Sequence, residues 1–175
     1  SSRDGLYEDY HHNGKLKTKG YYKDGDPDGN WVVYNFLGQK IEEQFYQRNM
    51  KVGTWKGWHN NEKPRFEYVY DTLSNYIFHP NKKEWNEAGL LVFERFIDRK
   101  GLGFEKKWAD NGTLIQHLEL VNNTKIEGSE KNWYPNGQLK SFLNNYRNSD
   151  TTYVSYFQNG KMLPTMRKKN SFLPI

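Results

Sequence analysis

The pattern of apolar and polar positions along the chain repeats with a period near 24 residues. Each copy contains a turn position, here called the anchor, which is a glycine in all copies but one. The anchors lie 23 to 27 residues apart, at Gly14, Gly38, Glu62, Gly89, Gly112, Gly137 and Gly160. A large aromatic residue stands four positions before every anchor, at Tyr10, Tyr34, Trp58, Trp85, Trp108, Trp133 and Tyr156. A period of this length indicates tandem structural repeats.

Each copy is predicted to form a β-hairpin. In four copies an Asn-Gly pair occupies the anchor turn, and this dipeptide favours the two left-handed conformations of a two-residue type I′ turn. The flanking apolar residues show no helical period, and two strands with two turns account for the length of a copy. A second glycine nine positions before the anchor is expected at the opposite turn, and it occurs at Gly5, Gly29, Gly53, Gly103 and Gly128.

These hairpins predict an all-β fold, an elongated single-layer antiparallel sheet of about seven tandem hairpin repeats. The connections are too short to cross over, so consecutive hairpins must lie side by side. The repeat domain is predicted over residues 1–163, with an irregular insertion near 71–83 where Pro80 replaces the glycine. Residues 164–175 contain two prolines and a basic run, so we expect a tail or cap and not a further strand.

Parity within the strands assigns the ring positions to faces. The positions four and seven residues before the anchor differ by three and must point to opposite faces. The first is aromatic in every copy and is therefore expected to form the core. If the anchor loop has two residues, the residues seven positions after the anchor share that face, namely Tyr21, Phe45, Val69 and Phe96. A loop longer by one residue would place them on the opposite face.

The position seven residues before the anchor carries the candidate binding site. It holds a ring in four copies and Lys or Glu in the others, and a position that accepts both is expected to be exposed. Tryptophan and tyrosine are favoured anchors of protein interfaces. The predicted partner-binding stripe is Tyr7, Trp31, Trp55 and Tyr153. Packing of these rings on cross-strand neighbours remains the alternative.

One copy carries a recognisable motif. Its residues Gly29, Trp31, Tyr34, Gly38 and Ile41 resemble the MORN repeat, named for membrane occupation and recognition nexus. The resemblance is closer to the bacterial variant, whose members are often labelled antitoxin components. It implies tandem hairpins in a single-layer sheet. It also implies binding to a protein partner, to a second copy or to anionic phospholipid.

Composition and charge narrow the function classes. The chain has 175 residues, of which 17% are aromatic and none is cysteine, which excludes disulfides and thiolate metal sites. No apolar run is long enough for a transmembrane helix. The net charge is +5, and the densest basic cluster, Arg167, Lys168 and Lys169, is the candidate lipid-binding site if the chain contacts a membrane.

No catalytic constellation emerges from the polar residues. The five histidines lack metal-site spacing, and His11 and His59 share one repeat position, which favours a structural role. Asp24 and Asp26 follow the lysines that come closest to a nucleic-acid-binding pattern. We therefore expect a non-enzymatic protein with no catalytic residue, cofactor, metal, nucleic acid or small-molecule substrate.

The most consistent function is a non-catalytic protein–protein interaction or scaffold role. We expect the chain to be an antitoxin or immunity-type binder that neutralises a toxin, or to be a subunit that binds within a larger bacterial assembly. The alternative is a peripheral membrane module that binds anionic phospholipid. The first residue, Ser1, suits a processed protein of the bacterial cell envelope, and a cytoplasmic location is the alternative.

Overall fold

The protein is all-β in the residues that the computed structural model describes, namely 3–70, 81–122, 124–126, 129–145, 151–164 and 166–168. For 143–145, 151–153 and 166–168 the description covers the backbone alone. The strands pair antiparallel throughout, and no helix occurs among these residues. The prediction of an antiparallel sheet of tandem hairpins is confirmed.

The chain divides into two compact units, Ser1–Leu91 and Val92–Ile175. The strands of the first unit are β1 (Gly5–Tyr10), β2 (Leu16–Lys23), β3 (Asp26–Tyr34), β4 (Lys40–Gln47), β5 (Met50–Lys51), β6 (Gly53–Trp58), β7 (Pro64–Tyr70) and β8 (Asn81–Trp85). Apart from Leu91, the second unit contains β9 (Leu91–Ile97), β10 (Leu102–Trp108), β11 (Leu114–Val121), β12 (Thr124–Lys125), β13 (Lys131–Trp133), β14 (Leu139–Asn145), β15 (Thr151–Ser155) and β16 (Met166–Lys168).

Neighbouring strands follow chain order inside each unit. The first unit has the order β1-β2-β3-β4-β6-β7-β8, and the short strand β5 pairs with β4. The second has the order β9-β10-β11-β13-β14-β15-β16, and β12 pairs with β11. This meander is the arrangement that short connections dictate.

The anchor turn is a three-residue loop and not the predicted two-residue type I′ turn. Gly14 N–H donates to the His11 carbonyl at 2.9 Å, and His11 N–H donates to the Lys15 carbonyl at 2.8 Å. Only Gly14 has a positive φ, 79°, whereas Asn13 does not. This is a type I turn followed by a glycine bulge. The same anchor hydrogen bond recurs at Gly38, Glu62, Gly89, Gly112, Gly137 and Gly160.

Type I′ turns occur instead at two connections between hairpins of the first unit. Asp24 and Gly25 have φ values of 54° and 92° and join β2 to β3. Arg48 and Asn49, with φ values of 48° and 64°, join β4 to β5. The glycine nine positions before the anchor was expected there, but Gly29 lies inside β3.

The longer anchor loop does not reverse the face assignment in the first unit. A register shift next to each ring compensates for the extra residue, with pairs Tyr10↔Leu16, Tyr34↔Lys40 and Trp58↔Pro64. Tyr21 pairs with Leu6, which lies on the same face of β1 as Glu8. The Tyr10 hydroxyl donates to Glu8 at 2.5 Å, so Tyr21 and Tyr10 share a face as predicted.

The end of the chain differs from its prediction. Residues 166–168 form strand β16, which pairs with β15, although we expected this segment to be a tail and not a strand. Three residues at the edge of a sheet need few ladder hydrogen bonds, so nearby prolines do not prevent pairing. The insertion predicted near 71–83 lies outside the described residues up to position 80, and β8 begins at Asn81.

Candidate functional site

One face of the first unit carries a continuous ladder of aromatic rings, here called the ring face. It combines the rings seven positions before the anchor with those eight positions after it. Successive ring centroids lie 5.0 to 6.2 Å apart in the series Tyr7, Tyr22, Trp31, Tyr46, Trp55 and Tyr70. Such pairs each contribute about 0.5–1.5 kcal/mol beyond the area that they bury.

Trp31 and Trp55 are buried in this ladder, with 8% and 6% of their surface exposed. The prediction that these two rings form an exposed stripe is therefore wrong. Each indole is covered from the sides by rings on both neighbouring strands, because Tyr22 and Tyr46 flank Trp31. A single sheet can thus bury a ring without a second layer above it.

A glycine on the neighbouring strand makes room for Trp31. A Cβ at Gly20 would lie 2.1 Å from the indole, so no larger residue fits. Gly57 does the same for Phe66, whose ring would lie 2.2 Å from an added Cβ. Glycine and ring therefore form matched pairs across neighbouring strands of this face.

Polar groups also contact the rings of this face. Arg3 stands over the Tyr7 and Tyr22 rings, at 5.5 and 5.2 Å. Lys51 stands over Trp55 at 4.5 Å, and the Trp55 indole N–H donates to the Phe45 carbonyl at 2.9 Å.

Two phenols of the ring face, Tyr46 and Tyr70, have raised pKa values, and one indole, Trp31, lacks a hydrogen-bond partner in the described part of the chain. Burial raises the pKa of the Tyr46 and Tyr70 phenols, with smaller contributions from neighbouring groups, so both stay neutral. Trp31 Nε1 has no acceptor among the described residues, so ring packing alone holds this indole.

The remaining predicted site residues occupy three kinds of position. Tyr7 is half-buried in the ladder, 5.5 Å from Trp31. Tyr153 lies in β15, and its side chain is outside the described part of the structure. The same holds for the side chains of Arg167 and Lys168 in β16, and Lys169 lies wholly outside the described residues.

The rings four positions before the anchor do not form the core that we expected. Tyr10 has 53% of its surface exposed, and its described counterparts are half-buried. These rings lie beside the anchor turn, where the strand pair ends and fewer lateral neighbours are available. The regular recurrence of a ring at this position therefore reflects the geometry of the turn and not burial of the ring.

The opposite face of the first unit is the accessible one, here called the charged face. A row of register partners crosses seven strands in the order Glu8, Lys19, Val32, Glu43, Lys56, Glu67 and Lys83. Lys19 pairs with Glu8 at 3.2 Å, and Lys56 with Glu67 at 3.9 Å. The signs alternate, so this row has little net charge.

A row with four apolar members, here called the open row, runs beside these charges, and Asn30 on β3 and Thr54 on β6 lie between those members. It consists of the residues seven positions after the anchor together with Leu6, namely Leu6, Tyr21, Phe45 and Val69. Leu6 and Tyr21 are register partners with 63% and 48% of their surfaces exposed, and Val69 is also exposed. Exposed apolar residues bordered by charges are typical of interaction surfaces.

The anchor turns are linked by side-chain hydrogen bonds, here called the turn clasp. In the first clasp, His11 Nε2 donates to the Tyr34 carbonyl, Asn13 Nδ2 to that of Phe36 and Lys15 Nζ to that of Leu37, each at 2.9 Å. In the second, His59, Asn61 and Lys63 donate to the carbonyls of Trp85, Glu87 and Ala88 at 2.8 to 2.9 Å. The shared position of His11 and His59 is thus structural, as predicted.

The second unit uses the same device with another donor. The Tyr134 hydroxyl, three positions before its anchor, donates to the Tyr156 carbonyl at 2.8 Å. Asn111 Nδ2 donates to the Pro135 carbonyl at 3.1 Å. The clasp was not predicted from the sequence. The signal that could have indicated it is the recurrence of Asn one position before the anchor and of Lys one position after it.

The described residues contain neither a metal-binding cluster nor a membrane-spanning helix. Among the described residues, no three His, Asp or Glu side chains are close enough together to hold a metal ion. No helix that could cross a membrane occurs in the ranges given above. Two half-buried acids pair with arginines, with Arg95 3.2 Å from Glu105 and Arg65 2.5 Å from Glu42.

Comparison with known proteins finds a similar repeat family for two segments of the chain. The model of the family described as MORN repeat variant matches residues 3–24 and 126–148. The first segment contains the hairpin β1–β2, and the second contains β13 and β14. No curated protein matches the chain. The match supports the similarity of these two segments to MORN repeats and gives no support to an antitoxin label.

Proposed function

We propose that the chain is a non-catalytic protein-binding module that presents the charged face of its first unit to a folded protein partner. Repeats of this type are generally associated with binding to proteins or membrane lipids. The observation that carries the proposal is the open row, because Leu6, Tyr21 and Val69 leave large apolar surface in water beside a neutralised row of charges. Protein interfaces combine such an apolar centre with a polar surround.

The charge pattern favours a protein over a lipid surface. Glu8, Glu43 and Glu67 stand in the same row as the lysines, so they would face anionic headgroups and oppose binding. A protein surface can complement alternating signs, and such complementarity adds specificity more than affinity. The proposed partner is either a toxin that the chain neutralises or a neighbouring subunit of an assembly.

Site-specific photo-crosslinking tests the proposal. A photoreactive phenylalanine analogue is placed at Tyr21 or Val69 on the open row, and at Leu37 as an exposed control on an anchor turn. The expected result is one protein species crosslinked from both row positions and not from Leu37. The double variant Tyr21→Ser/Val69→Ser should abolish binding of that species while its melting temperature stays within a few degrees of the parent. Equal crosslinking from Leu37, or no species at all from the row, would overturn the proposal.

A further inference from the structure

The first strand of the first unit has one edge that no strand of the described residues covers, here called the open edge. β1 ends the strand order of this unit and pairs with β2 alone in the described part of the chain. The Arg3 carbonyl and the His11 N–H bond to residues that flank β2, at 3.0 and 2.8 Å, so odd-numbered residues point their backbone groups toward β2. Because this direction alternates along a strand, Leu6 and Glu8 point their N–H and C=O groups to the open edge.

The acidic side chains of β1 do not close the open edge. Charges on an edge strand normally oppose the addition of another strand. Here Glu8 lies 3.2 Å from Lys19, and Asp9 lies 3.1 Å from Lys17. Both acids are thus paired with the inner neighbour β2. Asp9 also accepts from the Tyr10 N–H at 2.9 Å, so the edge available to a further strand is short and ends before Tyr10.

The corresponding edge is covered in the next two copies. β3 and β6 hold the place of β1 there, and this edge of each pairs with the strand before it, β2 or β4. The covering strand brings a tyrosine to the ring face, since Tyr22 lies 5.0 Å from Trp31 and Tyr46 lies 5.0 Å from Trp55. Both indoles therefore have rings on two sides. Tyr7, which holds their place in β1, contacts rings on the β2 side only.

Arg3 does not take the place of a covering ring. It stands over Tyr7 as Lys51 stands over Trp55 in the third copy, at 5.5 and 4.5 Å. Trp55 nevertheless also packs against Tyr46 on the covering strand. The cation and the covering ring thus occupy different places, so the side of Tyr7 that faces away from β2 can accept a ring.

The two covering strands share an order of side chains. Read toward the C-terminus, the order is Lys19, Gly20, Tyr21 and Tyr22 in β2, and Glu43, Gln44, Phe45 and Tyr46 in β4. The first of the four faces Val32 on β3 or Lys56 on β6, which hold the place of Glu8 in their copies. Opposite charges that face each other across strands are stabilising, so Glu8 favours a basic residue there. The order that fits the open edge is therefore basic, small or polar, apolar and aromatic.

We propose that the open edge binds an extended segment of a protein partner as an added antiparallel strand whose side chains follow this order. Main-chain hydrogen bonds to Leu6 and Glu8 supply affinity, and alternate side chains supply specificity, as in other cases of strand addition. The basic residue faces Glu8, and the aromatic ring covers Tyr7. The inference goes beyond the proposed function, because it uses an edge of the sheet and not the charged face.

The probe is a blocked, fluorescently labelled peptide with the sequence of β2, Leu16–Lys23, titrated into the full chain. At saturation, hydrogen exchange followed by NMR should slow for the amides of Leu6 and Glu8. The variant Leu6→Pro removes one outward N–H and should weaken binding about fivefold or more, the effect of one lost hydrogen bond. Its melting temperature should stay near that of the parent, because this N–H has no partner among the described residues. Leu6→Thr keeps the N–H and is the matched control, which should bind like the parent.

A charge exchange tests the same register without a proline. Glu8→Lys should weaken binding of the peptide about threefold, as expected for an exposed ion pair, and Lys19→Glu in the peptide should restore it. Tyr22→Ser in the peptide should weaken binding about tenfold, because the ring that covers Tyr7 is lost.

The other outcomes contradict the inference. Unchanged exchange of Leu6 and Glu8 at saturating peptide, or equal affinity of the Tyr22→Ser peptide, would overturn it. Dimerisation of the chain that slows both amides without peptide would assign the open edge to a second copy and overturn the assignment to a partner. Peptide binding without a species crosslinked from Tyr21 and Val69 would overturn the proposed function alone, and the reverse result would overturn this inference alone.

Discussion

At the scale of single residues, the ring face depends on pairing a large indole with a glycine on the neighbouring strand. Trp31 occupies the space above Gly20, and the neighbouring tyrosines Tyr22 and Tyr46 close its sides. Burial of a ring in one sheet therefore depends on residues in two neighbouring strands. This explains why Trp31 is buried although its repeat position accepts glutamate in other copies.

The substitution Gly20→Ala should destabilise the protein by about 2 kcal/mol, because overpacking of a filled site costs about 1–3 kcal/mol. Urea unfolding followed by circular dichroism measures the change. The control is the same substitution in a Trp31→Leu background, where the overlap with the indole is gone. An interaction energy of about 1 kcal/mol or more between the two sites is expected, and additive effects would contradict the packing account.

Glu62 is the anchor that lacks glycine, and it adopts a left-handed conformation with a φ of 64°. This conformation costs an L-residue about 1 kcal/mol, so Glu62→Gly should stabilise the protein by about that amount. Gly112→Ala is the converse control, since its φ is 83° and an added Cβ would meet nothing within 4 Å. It should destabilise by a similar amount in the same urea titration. A neutral or destabilising Glu62→Gly would show that the turn is not strained.

At the scale of elements, each hairpin is joined to the next by the sheet ladder and, at several turns, by the clasp. The donor three positions before the anchor is His11, His59 or Tyr134, and its acceptor is always the carbonyl of a ring residue in the following copy. Different side chains therefore fill one role. The clasp fixes the spacing of consecutive anchor turns at the edge where the ladder ends.

Removal of one clasp donor should cost about 1 kcal/mol, the usual net contribution of a hydrogen bond. Tyr134→Phe tests this without changing shape, because only the hydroxyl that donates to the Tyr156 carbonyl is lost. Thermal unfolding measures the effect. Tyr10→Phe is the control, since its hydroxyl bonds the exposed Glu8 and should contribute less. A larger loss from Tyr10→Phe than from Tyr134→Phe would contradict the role of the clasp.

At the scale of the whole molecule, the sequence was sufficient for the hairpins, their antiparallel order and the separation of the two ring positions onto opposite faces. It could not decide the loop, because Asn-Gly suits both a type I′ turn and a type I turn with a glycine bulge. The burial predicted for the two ring positions was the reverse of what the structure has. The reason is that the tyrosines that cover the indoles from the sides, Tyr22, Tyr46 and Tyr70, are placed there by the register between strands. The open row likewise becomes visible only when residues from several strands are aligned.

The central claim is that the first unit buries its ring face and leaves its charged face free. Hydroxyl-radical labelling of the isolated protein, read by mass spectrometry and normalised to the urea-unfolded chain, tests it residue by residue. We expect strong protection of Trp31 and Trp55, which are buried, and weak protection of Tyr21 and Leu6, which are exposed. Weak protection of the two tryptophans together with strong protection of Tyr21 would contradict it.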